Sequence, residues 1–286
     1  MNKVNAIAGV VTYNPDYIRL LQNLTELTKQ IDNILIVDNG SKNIKEVMNQ
    51  MPLELTEHLT IIYNSENMGI ARALKQIMLY AKDTHYDWVL TLDQDSIIET
   101  GLIDKYYSAA LQEENSDVAM FTCLIKDRNF EDNKYEYQHS EQINVPFCIT
   151  SAAFTNVQKY FTTTGYDVDF FIDCVDFDIC YLLRENGFRI CRINYLGLYH
   201  EVGHGENRLF FIKKIVVYHQ TPLRIYYLTR NTIWMHKKHL ETFSYITMLK
   251  KLLALLIKIV IYEDEKVAKL KQFWRGIRDY RIYGGE

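Results

Sequence analysis

Trp88-Val89-Leu90-Thr91-Leu92-Asp93-Gln94-Asp95 is the stretch on which the reading of this chain turns. Five residues of strand character run directly into two carboxylates spaced i, i+2. At a strand end that spacing puts both side chains on the same side. Working outward, this is the fourth segment of its kind. Residues 6–13 read as a buried strand around Val10-Val11. Residues 16–31 follow with Leu20, Leu24, Leu27 and Ile31 at helical spacing. Residues 33–37 and 59–63 are the second and third strands, separated by a short polar helix at 44–49. A helix over 69–81 carries Ala73, Leu74, Ile77 and Met78 on one side. Four strands separated by helices predict right-handed crossovers and an α/β fold with a mainly parallel central sheet flanked by helices.

Ligands of such sheets bind beyond the carboxyl ends of the strands. Each end here is polar: Thr12-Tyr13-Asn14, then Asp38-Asn39-Gly40, then Asn64 with Asn67-Met68-Gly69 beyond it, then Asp93-Gln94-Asp95. Singly these are also turn formers and helix caps. As a set they point to a polar ligand. Two carboxylates on one side need a compensating cation. A hard divalent ion, Mg²⁺ or Mn²⁺, satisfies them and also ligates a diphosphate. The first strand is followed by Tyr13-Asn14-Pro15-Asp16 rather than G-x-G-x-x-G, and no Walker A sequence is present, which disfavours nicotinamide dehydrogenases and P-loop enzymes.

Beyond residue 100 the pattern predicts a helix over 101–112, strands over 118–125 and 145–151, a helix over 175–185 ended by Asn186-Gly187, and a strand over 188–199. From residue 219 onward the chain reads as helical and basic-amphipathic. The 286 residues hold 32 Lys and Arg against 36 Asp and Glu, a net charge of -4 that gives no bulk attraction for nucleic acid. Cys123, Cys148, Cys174, Cys180 and Cys191 form no C-x-x-C pair, so reduced thiols in a cytoplasmic protein are expected rather than a zinc site or a disulfide framework. The N-terminus lacks a signal-peptide pattern. The most apolar stretch, 252–262, is shorter than the roughly 20 residues a bilayer-spanning helix needs.

Six pieces in this order, with this spacing, resemble the bacterial rhamnosyltransferase branch of the family 2 glycosyltransferases, which have the GT-A nucleotide-diphospho-sugar transferase fold. They are Val10-Val11-Thr12-Tyr13-Asn14-Pro15, Ile36-Val37-Asp38-Asn39-Gly40-Ser41, Asn67-Met68-Gly69-Ile70-Ala71-Arg72-Ala73, Leu90-Thr91-Leu92-Asp93-Gln94-Asp95-Ser96, Phe171-Ile172-Asp173-Cys174-Val175-Asp176-Phe177-Asp178 and His200-Glu201-Val202-Gly203. Arg230-Asn231 and Trp274-Arg275-Gly276-Ile277-Arg278-Asp279 are similar to the same branch. The resemblance implies a GT-A catalytic domain over 1–215, with a nucleotide-binding half at 1–98 and an acceptor half at 99–215, and a C-terminal helical region over 216–286.

The resemblance also implies roles. Thr12, Tyr13 and Asn14 would line the base and ribose of a dTDP- or UDP-sugar, with Asp38 accepting the base N3–H. Asn67, Gly69, Arg72, Asp93 and Gln94 would complete the donor site. Arg72 also reads as an ordinary surface or salt-bridged arginine. Asp95 would ligate the metal directly, with Asp93 near it and His200 as a third ligand or a diphosphate donor. Gly203 and Gly205 would let backbone approach the phosphates, and His204 has weaker support. Asp176 would be the general base of an inverting transfer, Asp173 the second choice, although capping of the following helix also explains Asp173, and Asp178 a supporting residue. The first-choice donor is dTDP-β-L-rhamnose, with UDP-galactofuranose, UDP-galactose or UDP-glucose as alternatives, and the acceptor a bacterial surface polysaccharide or lipid-linked glycan. A non-catalytic sugar-nucleotide-binding subunit is the rival from another class. One departure is Thr150-Ser151-Ala152-Ala153, where relatives show Thr-Ser-Gly; the Ala152 methyl is expected to crowd the sugar. The lysine-rich C-terminal helices either lie peripherally on the inner face of the cell membrane or pack on protein, the catalytic domain or another subunit of a homodimer.

Overall fold

In the computed structural model, residues 4–127, 140–200, 206–210 and 213–280 are described. The first half follows the expected alternation: β1 (Ala6–Thr12), α1 (Tyr17–Thr28), β2 (Ile34–Asp38), α2 (Ile44–Asn49), α3 (Leu53–Thr56), β3 (Leu59–Tyr63), α4 (Ile70–Asp83) and β4 (Trp88–Asp93). After the two-residue strand β5 (Ile97–Ile98) come α5 (Leu102–Ala110), β6 (Val118–Asp127), β7 (Gln142–Asn144), β8 (Ala153–Asn156), α6 (Val157–Tyr160), α7 (Val175–Glu185) and β9 (Arg189–His200). A hairpin of β10 (Glu206–Phe210) and β11 (Lys213–Val217) leads into α8 (Pro222–Lys238), α9 (Tyr245–Ile261) and α10 (Lys266–Asp279).

The main sheet has the order β3-β2-β1-β4-β8-β6-β9-β5, with β7 also paired to β9. The first four strands are mutually parallel. β8 then runs antiparallel to both β4 and β6, while β6 and β9 are parallel. Alternation along the strands explains the layering. Ile7, Val11, Leu35, Val37 and Val89 face one core with residues of α4, α7 and α8. Ala6, Ala8, Val10, Ile34, Ile36, Trp88 and Leu90 face the other with residues of α1 and α5. With both faces covered the strands are almost wholly apolar until their last residue, which is where polarity begins.

The helices start where local chemistry starts them. Asp16 accepts the Arg19 N–H at the head of α1, and Thr221 and Ser244 cap α8 and α9 in the same way, with Pro222 at the first position of α8. Two expectations fail between β6 and β8. The strand predicted over 145–151 is absent: β7 ends at Asn144, Pro146 offers no N–H for a ladder, and the chain crosses irregularly to β8 at Ala153. Ala152 has a left-handed φ of +60°, and its methyl packs in the same core as Tyr106 and Phe154 rather than facing a sugar.

Candidate active site

Three strand ends lie flush at one edge of the sheet. In register, Thr12 pairs with Asp38 and Val11 with Asp93. Thr12 Oγ1 donates to Asp38 Oδ1 at 3.0 Å, and Ser41 adds its N–H to Oδ2 at 2.9 Å and its hydroxyl to Oδ1. Asp38 is only 1% exposed and first of all ties the β1 and β2 ends together. A carboxylate accepts about four hydrogen bonds, so Oδ2 retains capacity for one more donor.

Gln94 performs a similar task between β4 and β1. Its Oε1 accepts the Tyr13 N–H at 2.8 Å, and its Nε2 faces the Tyr13 carbonyl at 3.4 Å. Tyr13 itself is exposed. Asn14, at φ +46°, donates its N–H to Ser41 Oγ at 2.7 Å and accepts the Lys42 N–H at 2.9 Å. Asn67 Oδ1 accepts from Gly69 N–H and from Asn39 Nδ2, so it builds a turn. Gly69 sits at φ +85°, and a Cβ there would come within 2.6 Å of the Phe171 carbonyl oxygen. Ile70 N–H donates to that same carbonyl at 2.7 Å, which joins this turn to the acidic loop ahead of α7. Arg72 stands exposed on α4, with no ion pair to any described residue.

Asp93 and His200 are brought together from β4 and β9, with Nε2 at 4.0 Å from Oδ2. His200 Nδ1 meets Ser96 Oγ at 2.9 Å, Ser96 Oγ meets Ser151 Oγ at 2.7 Å, and Ser151 Oγ accepts the Asp93 N–H at 3.3 Å. When Nδ1 carries the proton and donates to Ser96, the Nε2 lone pair is turned toward Asp93. Asn23 from α1 braces the same loop by donating to the carbonyls of Asp93 and Ser96. Burial pushes the Asp93 carboxyl up to about 6; the nearby charges of Asp176 and Asp95 add to the rise and His200 opposes it. Two carboxylates with an imidazole presenting its lone pair are hard-cation chemistry, and the crowding of negative charge calls for one. Asp93, Asp95 and His200 do not form a set whose ligand atoms all lie within 4.8 Å of one another, so a cation would draw them closer. The group among the described residues that does, His219, Glu263 and Asp264, already has the Lys269 ammonium at 2.7 and 2.5 Å from its two carboxylates.

The acidic loop is a strained segment. Phe171, Asp173 and Cys174 all have left-handed φ values of +55° to +65°. Asn231 from α8 holds it, sharing its amide protons among the carbonyls of Phe170, Ile172 and Asp173 at 2.7–3.0 Å. Arg230 adds a hydrogen bond to the Asp169 carbonyl and steadies the Asn231 amide through Oδ1 at 2.7 Å. At the far side of α8, Gly276 of α10 lets the helices touch: a Cβ there would come within 2.8 Å of the Tyr226 carbonyl oxygen.

This loop treats its three acids differently. Asp173 is paired with Arg224 through contacts of 3.0–3.2 Å. Asp176, in the first turn of α7, accepts the Thr150 N–H at 3.1 Å, and burial raises its carboxyl above the ordinary value, with Asp173 adding to the rise while Thr150 and His200 oppose it. Asp178, expected as a supporting residue, has its own partners on the C-terminal side. It is buried against Lys238 and His239, each at 2.8 Å, and fastens the end of α8 to α7. Gly203, His204 and Gly205 lie outside the described residues. The roles of Ser96, Ser151, Asn23 and Arg224 are not legible in the sequence, because a bracing serine, asparagine or exposed arginine leaves no pattern in one chain. Arg230-Asn231 was visible as a piece without a role. Two surface clefts, of about 290 and 400 Å³, lie elsewhere, one beside Arg189 and one beside Asp87 at the opposite end of β4.

Comparison with known proteins gives the family and the fold. Residues 8–175 match the model of glycosyl transferase family 2. The chain is 27% identical over 248 residues to the dTDP-rhamnosyl transferase RfbF of Shigella flexneri, covering 82% of this chain and 81% of that one. Among solved structures it resembles GalNAc-T7 with UDP, GalNAc and Mn²⁺ (TM-score 0.61, 12% identity, 99% of this chain and 57% of that one). It also resembles S. aureus TarS 1-349 in complex with UDP-GlcNAc (TM-score 0.60, 14% identity, 96% and 80%). The chain belongs to glycosyl transferase family 2, and the protein is a glycosyltransferase of GT-A fold.

Proposed function

We propose that the protein is an inverting, divalent-cation-dependent transferase that moves L-rhamnose from dTDP-β-L-rhamnose to a hydroxyl of a bacterial surface polysaccharide or a lipid-linked glycan. The observation that carries the mechanism is that Asp93 and Asp176, from two different elements, both lie in the field of His200. Asp93 with His200 stands at the end of β4, and Asp176 at the start of α7 is close enough for its charge to raise the Asp93 carboxyl. Asp93, Asp95 and His200 would hold Mg²⁺ or Mn²⁺, which supplies charge neutralisation at the departing diphosphate. Thr12, Tyr13, Asn14 and Asp38 would receive the nucleoside, with Asn67, Gly69, Arg72 and Gln94 shaping the donor side.

Asp176 is the better base. Its Oδ1 is fixed by Thr150, and burial lifts its proton affinity, as a group that must accept a proton near neutral pH requires. Burial raises the Asp173 carboxyl too, but the Arg224 guanidinium opposes that rise and occupies its oxygens, which suits Asp173 to positioning the acceptor. The rhamnosyl donor rests on the 27% identical relative. The UDP-bound structural neighbours keep UDP-sugars as the second reading. Five free cysteines fit a cytoplasmic site of action.

The test is nucleoside diphosphate release from dTDP-rhamnose, UDP-galactofuranose, UDP-galactose, UDP-glucose and GDP-mannose, with Mg²⁺, Mn²⁺ or EDTA. Metal-dependent release from dTDP-rhamnose, lost in Asp95→Ala, is expected. Release from another donor overturns the sugar and keeps the mechanism. Binding of nucleotide without release from any donor points to a non-catalytic subunit.

A further inference from the structure

α9 is apolar nearly all the way round, and only one side of it is used. Met248, Leu252, Leu255 and Ile259 pack inward against the core and against α8 and α10. Ile246, Leu249, Leu253 and Val260 recur at helical spacing about a third of a turn away and point outward, at 63%, 45%, 58% and 49% exposure. Among the described residues nothing covers this stripe. A contiguous row of four large aliphatic side chains on one helix marks an interaction surface rather than scattered surface hydrophobics. At 17 residues, and carrying Lys250, Lys251 and Lys258, α9 is too short and too charged to cross a bilayer, and no helix among the described residues is long and apolar enough to do so.

The charge of the chain identifies the partner. From residue 216 onward there are 13 Lys and Arg against 6 Asp and Glu; before it there are 19 against 30. The net charge of -4 therefore hides a C-terminal region at +7 joined to a region at -11. Exposed Lys250 flanks the stripe directly, and α10 adds exposed Lys266, Lys271, Arg278 and the 60% exposed Trp274. A second copy of the chain docking through the same stripe would bring two +7 regions together, since a two-fold contact pairs like with like. An anionic lipid surface attracts that region, accepts the aliphatic stripe between its headgroups and repels the acidic remainder of the molecule.

We propose that the outward stripe of α9 docks on an anionic membrane surface, with the basic C-terminal region facing the lipid and the rest of the molecule turned away. The docking helix adjoins the acceptor side of the site: Lys251 lies 4.7 Å over the ring of Phe177, the residue after Asp176. The inference stands apart from the choice of donor sugar.

The experiment is flotation of the full chain with vesicles of phosphatidylcholine alone and of phosphatidylcholine containing about 30% phosphatidylglycerol. Wild type is expected to bind the anionic vesicles about tenfold or more tightly than the neutral ones, and to be released by about 0.5 M salt. The double variant Leu249→Asn, Leu253→Asn should lose vesicle binding by about tenfold while keeping its melting temperature and its donor turnover in solution. The variant Lys250→Glu, Lys271→Glu should lose only the preference for anionic lipid. Equal binding to both vesicles, or undiminished binding by the Leu249/Leu253 variant, overturns the proposal. So does absence of vesicle binding together with a dimer in sedimentation that the same variant dissociates, which assigns the stripe to a second copy. Donor turnover, read separately in solution, keeps a failure here distinct from a failure of the proposed reaction.

Discussion

Asp173 and Asp176 stand three positions apart on the same loop and helix start, and what they touch separates them. Asp173 is held by Arg224, whereas Asp176 meets a backbone N–H and lies in the field of Asp173 and His200. Replacing Asp176 by Asn is expected to lower kcat by about a thousandfold or more while leaving donor binding near wild type, since general-base catalysis contributes roughly that much. Asp173→Asn should lower it far less and act mainly on the KM of the acceptor. Steady-state kinetics with calorimetric donor binding checks both. A pH dependence follows from Asp93. Its carboxyl, raised to about 6 by burial and by Asp176 and Asp95, keeps its proton below that value, and a cation needs the ionised form. Affinity for Mn²⁺ is therefore full well above pH 6 and falls as pH drops through it. Titration of Mn²⁺ at about pH 7.5 and about pH 5.5 reads this directly. At this scale the sequence showed the acids themselves, because i, i+2 carboxylates at a strand end and an acidic cluster opening a helix are local patterns. It did not show that Asp178 belongs to Lys238 and His239, some 60 positions away, since burial and pairing at that separation are tertiary facts.

The elements tell the same story in their own terms. β1 to β4 and α4 were legible because a sheet covered on both faces demands unbroken apolar runs, and because amphipathic helices keep a 3.6-residue period. The strand expected over 145–151 was not, because an apolar run with one proline reads alike whether it pairs or merely crosses a sheet edge. Phe171, Asp173 and Cys174 carry no sign of their left-handed backbone in their residue types; the loop is held by Asn231, which arrives from α8. Asn231→Ala should leave three carbonyls short of their donor and destabilise the protein by about 2 kcal/mol. It should lower kcat further than lost folding explains, because the loop it holds carries Asp173 and leads directly into the turn of α7 that bears Asp176. Thermal unfolding beside kinetics at a temperature where the variant remains folded separates the two effects, and unchanged kcat in a destabilised variant would confine Asn231 to structure. Arg230-Asn231 and Gly276, visible in the sequence only as pieces that resemble the family, thus acquire a physical reason: one holds the acidic loop, the other lets α10 approach α8 closely enough to support it.

At the scale of the molecule, the sheet edge and the C-terminal helices are physically linked through the acidic loop. The parallel half of the sheet brings Thr12, Asp38 and Asp93 into a row, the far strand β9 returns His200 to that row, and α8 secures the loop that faces it. The central claim is that this row is a cation-assisted site for a nucleoside diphosphate. Calorimetric titration of dTDP in the presence of Mn²⁺ and of EDTA, on wild type, Asp93→Ala and His200→Ala, tests it most directly. The account predicts binding that weakens about tenfold or more without Mn²⁺, with both variants behaving in Mn²⁺ as wild type does in EDTA. Binding of equal strength with and without the cation, or no binding of dTDP or UDP under any condition, would contradict it.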